Sequence, residues 1–286
     1  MKTKDELVDL LIDLAFAEDI GDGDHTTLST IPAKAVGKSK LLIKEEGILS
    51  GVNMAIKTLK KLDPSIKVDV MIADGSHVKP GDIAFIAEGP VRSLLIAERT
   101  LLNIMQRMSG VATMTRRYQD ELEGLHTKVL DTRKTTPGMR LMEKQGVKDG
   151  GGENHRIGLF DMILIKDNHI DFAGGIEKAV ERAVEYCREN GMKLKIEVEA
   201  RSLEDVRKLA EMEGVDRIMF DNFTPELTAE AVKIVGGRKE TESSGGITLQ
   251  NLRAYGEAGV DYISVGALTH SVKGLDMSFK ALNAKI

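Results

Sequence analysis

Basic residues cluster at three places in the middle of the chain. The cations are Arg133, Lys134, Arg156 and Lys166, with His155 and His169 beside them. A guanidinium forms paired hydrogen bonds to a carboxylate or phosphate, whereas an ammonium is a compact charge suited to phosphate. If all four cations face one cleft, their mutual repulsion must be offset by anions. The clusters therefore predict a site for anionic substrates, with solvated surface charges as the alternative.

Two carboxylates, Glu199 and Asp221, follow farther along the chain. Opposite the cations, they are typical of a site that binds a divalent metal with a substrate phosphate, or that hydrogen-bonds sugar hydroxyls. A simple salt-bridge network is the alternative. Glu197 precedes Glu199 by two residues and so points to the same side of a strand, where a structural role is sufficient to explain it.

Small residues are concentrated in two later loops, at 242–248 and 264–268. They include Ser244, Gly245, Gly246, Ser264 and Gly266. Small residues before a helix N-terminus leave backbone N–H groups free to hold a phosphate. With the cations, these loops predict an enzyme that handles a phosphorylated sugar and a second, anionic substrate.

Short apolar runs recur after residue 125, and a polar residue or a glycine ends each of them. These end residues are Asp131, Lys166, Glu199, Asp221, Ser243 and Gly266, at intervals of 35, 33, 22, 22 and 23 residues. Helical patterns lie between the runs, at 175–190, 202–212, 224–235 and 248–258, and three of them begin with an expected N-cap, namely Ser202, Thr224 and Thr248.

Alternating strands and helices indicate parallel strands joined by right-handed crossovers. A leucine-rich solenoid has a similar period, but its Leu-x-x-Leu-x-Leu consensus does not recur here. We therefore predict a (β/α) barrel, in which the C-terminal ends of the strands carry the active site. The polar residues that end the apolar runs lie at those ends.

The first part of the chain has a different pattern, which predicts an α+β segment. Thr3 and Glu6 form a capping box for a first helix, and Leu7, Leu10, Leu11 and Leu14 form one apolar face of it. Strand patterns at 41–44 and 68–72 flank a helical pattern at 52–62. A longer helix is predicted from Val91 to Met108, where Ser109 and Gly110 stop it.

The composition excludes several classes of protein. The chain has 286 residues and a formal net charge of −5 at pH 7, which disfavours a general nucleic-acid binder. Its single cysteine, Cys187, excludes an internal disulfide framework and a cysteine-rich zinc site. It contains no apolar run of about 18 residues, and its charged N-terminus lacks the core of a signal peptide. We therefore expect a cytoplasmic protein without nucleic-acid or membrane partners.

Longer motifs around these residues identify a family. They include Asp131-Thr132-Arg133-Lys134-Thr135, Gly150-Gly151-Gly152-Glu153-Asn154-His155-Arg156, 97–103, 165–169, 197–199, 220–222, 242–246 and 265–270. Together they closely resemble quinolinate phosphoribosyltransferases, the decarboxylating nicotinate-nucleotide pyrophosphorylases. The resemblance implies an α/β fold: an incomplete (β/α) barrel at 109–271 and an N-terminal α+β sandwich domain at 1–108, joined by 272–286. It also implies a homodimer with shared active sites, with a hexamer as the alternative.

The family's reaction joins quinolinate and phosphoribosyl pyrophosphate, and yields nicotinate mononucleotide, pyrophosphate and CO2 for NAD biosynthesis. By resemblance, quinolinate binds Arg99, Arg133, His155, Arg156 and Lys166, with Arg99 donated by the neighbouring subunit. Phosphoribosyl pyrophosphate binds Lys134, Glu199, Asp221, Ser244, Gly245, Gly246, Ser264 and Gly266. The catalytic residues are Lys134, Glu199 and Asp221. The implied cofactor, Mg²⁺, is held mainly by substrate phosphates, with Glu199 and Asp221 as candidate ligands.

Three rival functions are distinguishable by experiment. A paralogue acting on another base, or in molybdate handling, should lack part of the arginine set, which is present here. A Schiff-base aldolase would use Lys166 and would be trapped by borohydride with a keto substrate. A phosphate-ligand sensor with a decayed site would show no turnover.

Overall fold

The computed structural model describes residues 2–285, which form two compact units. The first contains the described residues up to Arg116, together with 135–151 and those from Leu268 on. The second contains Arg117–Lys134 and Gly152–Ala267. The domain boundary predicted at 108/109 lies within a helix, so the secondary structure is continuous at that position.

Helices and a small antiparallel sheet build the first unit. Its helices are α1 (Lys4–Ile20), α2 (His25–Thr30), α3 (Val52–Leu62), α4 (Val91–Asp120, whose last turn enters the second unit) and α5 (Arg140–Asp149). Its strands are β1 (Val36–Ile43), β2 (Gly47–Ile48), β3 (Lys67–Val70), β4 (His77–Val78), β5 (Ile83–Pro90) and β12 (Met277–Lys285). Four of them form a sheet in the order β12-β1-β5-β3, and β2 pairs with β4. The predicted α+β character is confirmed.

The first unit has a core between its sheet, α3 and α4. Leu41 and Phe85 project from the sheet, and Leu59, Leu101 and Met105 cover them from the helices, all fully buried. Burial of each such side chain contributes about 1.5–3 kcal/mol to the free energy of unfolding.

Helix α1 begins as the sequence predicts, but it buries a different face. Thr3 and Glu6 form the expected capping box. However, Leu7, Leu10 and Leu14 are 46%, 47% and 64% exposed. The buried residues of α1 are Ile12 and Phe16, which pack with residues of α4 and α5, and Leu11 of the predicted face is partly buried against them. The helix carries apolar residues on two sides, and helical periodicity alone does not decide which of them packs.

The predicted stop of α4 at Ser109 and Gly110 is wrong, because the helix continues to Asp120. Both small residues serve close packing. The Ser109 hydroxyl accepts a hydrogen bond from the Ser50 N–H and donates one to the Ser50 carbonyl, each 2.9 Å long. A Cβ at Gly110 would overlap the carbonyl oxygen of Lys273. Tertiary contacts thus select glycine at a position where helix propensity disfavours it.

Six parallel strands form the sheet of the second unit. They are β6 (Lys128–Leu130), β7 (Ile163–Ile165), β8 (Ile196–Ala200), β9 (Arg217–Asp221), β10 (Glu240–Ser244) and β11 (Tyr262–Ser264). Their order is β6-β11-β10-β9-β8-β7, so β6 and β7 are both edge strands. Each apolar run of the sequence corresponds to one of these strands, and the incomplete barrel is confirmed.

Helices alternate with these strands. They are α6 (Asp167–Ala173), α7 (Ile176–Glu189), α8 (Leu203–Glu211), α9 (Pro225–Val235), α10 (Leu252–Glu257) and α11 (Ala267–His270). Ser202 and Thr224 cap α8 and α9 as predicted, each accepting a backbone hydrogen bond. Thr248 does not cap α10, because that helix begins one turn later, after Asn251.

The interval of 35 residues between Asp131 and Lys166 also has a structural cause. Residues 135–151 leave the sheet and contribute α5 to the first unit. The chain then returns along the edge of the sheet, where Glu153 forms a parallel bridge with Leu130.

In the described part of the chain, every helix is too short or too polar to cross a bilayer.

Candidate active site

The parallel register brings the polar strand ends to one face of the sheet. Partnered residues on parallel strands point to the same side. Asp221 is paired with Ser244, and Glu199 is paired with Met219, two residues before Asp221. Lys166 follows β7 directly, at the position level with Glu199. The predicted clustering of these residues at the C-terminal edge is confirmed; we call it the mouth of the barrel.

Glu199 is the centre of the hydrogen bonds at the mouth. The ammonium of Lys166 lies 2.7 Å from Glu199 Oε1, and the backbone N–H of Asp167 donates to Oε2 over 3.0 Å. Burial raises the pKa of Asp221, and the neighbouring negative charge of Glu199 raises it further. The mouth therefore holds two carboxylates close together, which favours a cation beside Asp221.

The cations of the middle clusters differ in exposure. Arg133 and Lys134 have exposed side chains, whereas Arg156 is only 9% exposed. One guanidinium nitrogen of Arg156 donates to the Met162 carbonyl over 3.1 Å. Burial lowers the pKa of Arg156, and the nearby positive charge of Arg133 adds to that shift. An anion bound between the two arginines would relieve both effects.

A buried aspartate fixes the segment that carries Arg156. Asp131, at the end of β6, is fully buried. One carboxylate oxygen accepts the backbone N–H of His155 at 2.9 Å, and the other accepts the side-chain amide of Asn154 at 2.6 Å. Because both oxygens are used, the segment Asn154–Arg156 is held at the edge of the sheet.

The loops after β9 and β10 contain residues with positive φ. Among the described residues other than glycine, Asn222 alone has a positive φ, of 57°, and its N–H donates to the Ser244 carbonyl over 2.8 Å. Gly245 and Gly246 also have positive φ. A Cβ at Gly245 would overlap the amide oxygen of Asn222, whereas the space around Gly246 is open. Strained backbone of this kind clusters at ligand sites.

A second layer of charged residues lies below the mouth, because its strand residues come two or four positions before the mouth residues on the same strands. Its members are Glu197, Arg217, Glu242 and His155, with Ser264 and Tyr262 beside them. His155 Nε2 lies 2.8 Å from Glu197 Oε2 and 3.6 Å from Glu242 Oε2. The Arg217 guanidinium donates to Glu242 Oε2 over 2.9 Å. Both glutamates are fully buried. We call this group the core layer.

Both glutamates of the core layer have a raised pKa. Burial raises the pKa of Glu242 to about 8, and repulsion from Glu197 adds to the shift. Burial also raises the pKa of Glu197 to about 6, while Arg217 opposes the change. Burial thus favours a retained proton on Glu242. Arg217, which also bonds Glu240, is the cation that faces the pair.

His155, Glu197 and Glu242 present ligand atoms within 4.8 Å of one another, a spacing that could suit a metal ion. However, His155 Nδ1 accepts the backbone N–H of Arg156 at 2.8 Å. A neutral imidazole has one acceptor nitrogen, so Nε2 carries the proton and has no lone pair for a metal. The Arg217 guanidinium next to Glu242 also repels a cation. The three side chains therefore form a compact cluster of buried ionisable groups.

The structure places the remaining predicted residues as follows. Arg99 lies on α4 in the first unit, with an exposed side chain. Gly266 follows β11 in the second unit. Ser264, which was predicted to bind the phosphoribosyl group, is only 6% exposed at the end of β11, and its hydroxyl lies close enough to Glu242 to lower the pKa of that carboxyl. Arg217 and Glu242 were not singled out as site residues, although each precedes a mouth residue by an even number of positions on its strand.

Comparisons with known proteins agree with this geometry. Residues 24–109 match the model of the quinolinate phosphoribosyl transferase N-terminal domain, and residues 111–280 match that of the C-terminal domain. The chain belongs to the quinolinate phosphoribosyltransferase family. The resemblance inferred from the sequence motifs is therefore confirmed, and the two-domain pattern of this family accounts for the two sheets.

Individual members of the quinolinate phosphoribosyltransferase family are similar over nearly the whole chain. A nicotinate-nucleotide pyrophosphorylase [carboxylating] of Oryza sativa subsp. japonica is 44% identical, over 94% of this chain and 76% of its own length. A probable nicotinate-nucleotide pyrophosphorylase [carboxylating] of Bacillus subtilis is 42% identical, over 94% and 91%. The crystal structure of NadC from Streptococcus pyogenes is 36% identical and superposes with a TM-score of 0.91, over 99% and 100%.

Proposed function

We propose that this protein is a decarboxylating quinolinate phosphoribosyltransferase of NAD biosynthesis. It transfers the phosphoribosyl group of phosphoribosyl pyrophosphate to quinolinate, and it releases pyrophosphate and CO2. Homologues named quinolinate phosphoribosyltransferase [decarboxylating], such as one of Nicotiana tabacum, support this reaction. The observation that carries the proposal is the mouth itself, where paired carboxylates and clustered cations meet on one face of one sheet.

The cationic side of the mouth suits quinolinate. Two adjacent carboxylates of the substrate match the forked donors of Arg133 and Arg156, and Lys166 adds a point charge. The pKa depression of Arg156 by burial and by Arg133 supports this assignment, because a dianion would offset it. We assign Arg99 to the same pocket, donated by the partner subunit of a homodimer; a hexamer built from such dimers is the alternative assembly.

The acidic side of the mouth suits the phosphoribosyl group. We assign the 5′-phosphate to the loops of Ser244, Gly245, Gly246 and Gly266, whose backbone can approach a ligand closely. The open space beside Gly246 and its left-handed backbone support this assignment. Ser264 is left out of this assignment, because it is only 6% exposed and its hydroxyl lies against Glu242.

The reaction needs positioning and electrostatics rather than a protein nucleophile. The quinolinate nitrogen attacks C1 of the ribose while the bond from C1 to pyrophosphate breaks, and positive charge builds on the ribose ring. Glu199 and Asp221 favour that charge where it develops, and Lys134 faces the departing pyrophosphate. The new pyridinium nitrogen then accepts the electrons of the adjacent carboxylate as CO2 leaves, and a proton takes the place of CO2 on that carbon.

The donor set at the mouth also fits the magnesium ion that the family implies. Asp221 is half-buried beside Glu199 with a raised pKa, so a divalent cation would relieve their repulsion. Glu199 and Asp221 would hold the ion together with substrate phosphates, where it would offset the charge of pyrophosphate.

The predicted cytoplasmic location stays a prediction, since some plant relatives are named as chloroplastic or mitochondrial.

Incubation of the protein with quinolinate, phosphoribosyl pyrophosphate and magnesium tests the proposal directly. We expect nicotinate mononucleotide, with pyrophosphate and CO2 in equal amounts. A folded protein that forms no nicotinate mononucleotide under these conditions would contradict the proposed function, and would favour the phosphate-sensor alternative.

The Lys166→Ala variant separates this function from an aldolase. We expect a rise of about 10-fold or more in the KM for quinolinate, because one charge-assisted hydrogen bond contributes about 1.5–3 kcal/mol. Borohydride added to the wild-type protein with a keto substrate should leave no adduct on Lys166. A trapped adduct in the mass spectrum would support Schiff-base chemistry instead.

Hybrid dimers test the assignment of Arg99. An Arg99→Ala chain mixed with an Arg133→Ala chain should regain activity, because one of the two sites in each hybrid then contains both arginines. The matched control is each variant mixed with itself. Absence of recovery, despite subunit exchange shown by mass spectrometry, would mean that Arg99 acts in its own chain or in no site.

A further inference from the structure

We infer that Glu197 is a positioning residue for the quinolinate pocket, acting through His155 and the backbone of Arg156. The contacts form one continuous path. Glu197 Oε2 lies 2.8 Å from His155 Nε2, and His155 Nδ1 lies 2.8 Å from the backbone nitrogen of Arg156. Glu197 is fully buried, so it does not touch a substrate itself. The inference rests on the proposed function.

The path works because it fixes one tautomer of His155. The Arg156 N–H needs an acceptor, which is the unprotonated Nδ1 of the ring. The ring proton is then on Nε2, which lies 2.8 Å from Glu197 Oε2 in an ion-pair contact that is not aligned as a hydrogen bond. A carboxylate beside the far nitrogen of an imidazole attracts the proton to that nitrogen and restrains the ring. With Nδ1 accepting from Arg156 and Nε2 against Glu197, His155 serves the pocket by holding Arg156.

Arg156 is held from three directions as a result. Asp131 accepts the N–H of His155, the His155 ring accepts the N–H of Arg156, and the Met162 carbonyl accepts from its guanidinium. Without Glu197, the imidazole loses its anchor and the second of these bonds weakens. Paired recognition of a carboxylate tolerates only about 0.5 Å of misplacement, so the fork of Arg156 would lose its alignment.

The remaining core layer keeps Glu197 available as a partner for the ring. Arg217 and Glu242 lie on the next two strands, and the Arg217 guanidinium bonds both Glu242 and Glu240. The guanidinium is thus engaged by these two glutamates, and the Glu197 carboxylate is left beside the His155 ring. Glu197 should therefore affect the binding of quinolinate and leave the binding of phosphoribosyl pyrophosphate unchanged.

Steady-state kinetics of three variants test the inference. In Glu197→Ala, we expect the KM for quinolinate to rise about 10–100-fold, with the KM for phosphoribosyl pyrophosphate within about 2-fold. Glu197→Gln should stay within about 5-fold of wild type, because its amide oxygen still offers an acceptor to the Nε2 proton. Glu240→Ala is the matched control, since Glu240 contacts Arg217 but not His155. It should match wild type in both KM values.

Nitrogen NMR of histidine-labelled protein supplies a readout that turnover does not influence. The His155 signal, assigned with a His155→Gln variant, should show protonation at Nε2 in the wild type. It should show a mixture of tautomers in Glu197→Ala. Should that variant fail to fold, Glu197→Met removes the acceptor and keeps the volume.

Each other outcome counts against the inference. An Nδ1-protonated His155 in the wild type would overturn it, as would equal rises in both KM values, or a Glu240→Ala variant that behaves like Glu197→Ala. If the wild type forms no nicotinate mononucleotide, the proposed function fails, but the tautomer measurement still decides whether Glu197 orients His155. If turnover is normal and Glu197→Ala leaves the KM for quinolinate unchanged, only the positioning role fails.

Discussion

The mouth and the core layer of the barrel contain the same residue types, one step apart on the same strands. Glu199 is 5% exposed and Asp221 is half-buried, and both lie at strand ends near the 47% exposed side chain of Lys166. Glu197 and Glu242 below them are fully buried with Arg217. The position along the strand, more than the degree of burial, separates the two pairs. At the mouth the carboxylate charge is available to a substrate; in the core it faces an internal cation, and burial favours a retained proton.

The largest effect should come from breaking the core layer at its cation. Arg217→Met leaves buried glutamates without their counter-charge, and we expect the free energy of unfolding to fall by about 3–5 kcal/mol. Urea unfolding followed by circular dichroism measures it. The matched control is Arg182→Met, which removes a cation from the exposed face of α7 and should change stability by less than about 0.5 kcal/mol. Equal losses in both variants would contradict the distinction between layers.

At the mouth, the same kind of change should affect catalysis and not stability. Glu199→Gln removes the charge beside the ribose, and we expect kcat to fall about 100-fold or more. Its melting temperature should stay close to that of wild type, because Glu199 is not required to balance a buried cation. A loss of stability without a loss of kcat would show that Glu199 belongs functionally to the core layer.

The retained proton gives the core layer a pH dependence. Glu242 faces His155, Glu197, Arg217 and Ser264, and burial raises its pKa from 4.5 to about 8. The folded state thus binds more protons than the unfolded state between these values. Its stabilising contribution is full below about pH 4.5 and is lost as the pH rises through about 8.

Glu242→Gln should remove this dependence. We expect the difference between the free energies of unfolding at pH 5.5 and 7.5 to be smaller in the variant by about 2–3 kcal/mol, since one pKa unit corresponds to about 1.4 kcal/mol. Chemical unfolding at both pH values measures the change. An unchanged difference would mean that Glu242 is ionised in the folded protein, and that it retains no proton in the core layer.

The smallest effect decides to which layer Ser264 belongs. Its hydroxyl lowers the pKa of Glu242, so it should stabilise that carboxyl. Ser264→Ala should therefore cost about 1 kcal/mol of stability and leave the KM for phosphoribosyl pyrophosphate within about 2-fold. Ser244→Ala is the control at the mouth, with the opposite pattern expected. A raised KM in Ser264→Ala at full stability would return this residue to the phosphoribosyl site.

Much of this division could be predicted from the sequence, because it follows from local periodicity. The six apolar runs predicted the strands, and the residues that end these runs predicted the mouth. Arg217 and Glu242 were missed because only the residues that end each run were considered. Their direction follows from the even spacing to a mouth residue, but their contacts with each other and with His155 depend on how the strands are arranged. Gly110 was taken for a helix stop because its packing partner, Lys273, is far away in sequence. The exposed leucines of α1 follow the same rule, since only tertiary contacts choose between two apolar sides.

The order of the strands in the first unit has a consequence for biosynthesis. Its outer strand β12 pairs with β1 from Val36 to Ile43, yet the ribosome makes β12 only after the whole barrel. Throughout elongation, β1 therefore presents an unsatisfied edge while the barrel strands emerge. Such edges recruit other chains, and nascent chains grow at only about 5–20 residues per second. Completion of this sheet is thus a late event, and until then the edge of β1 is available for pairing with another chain.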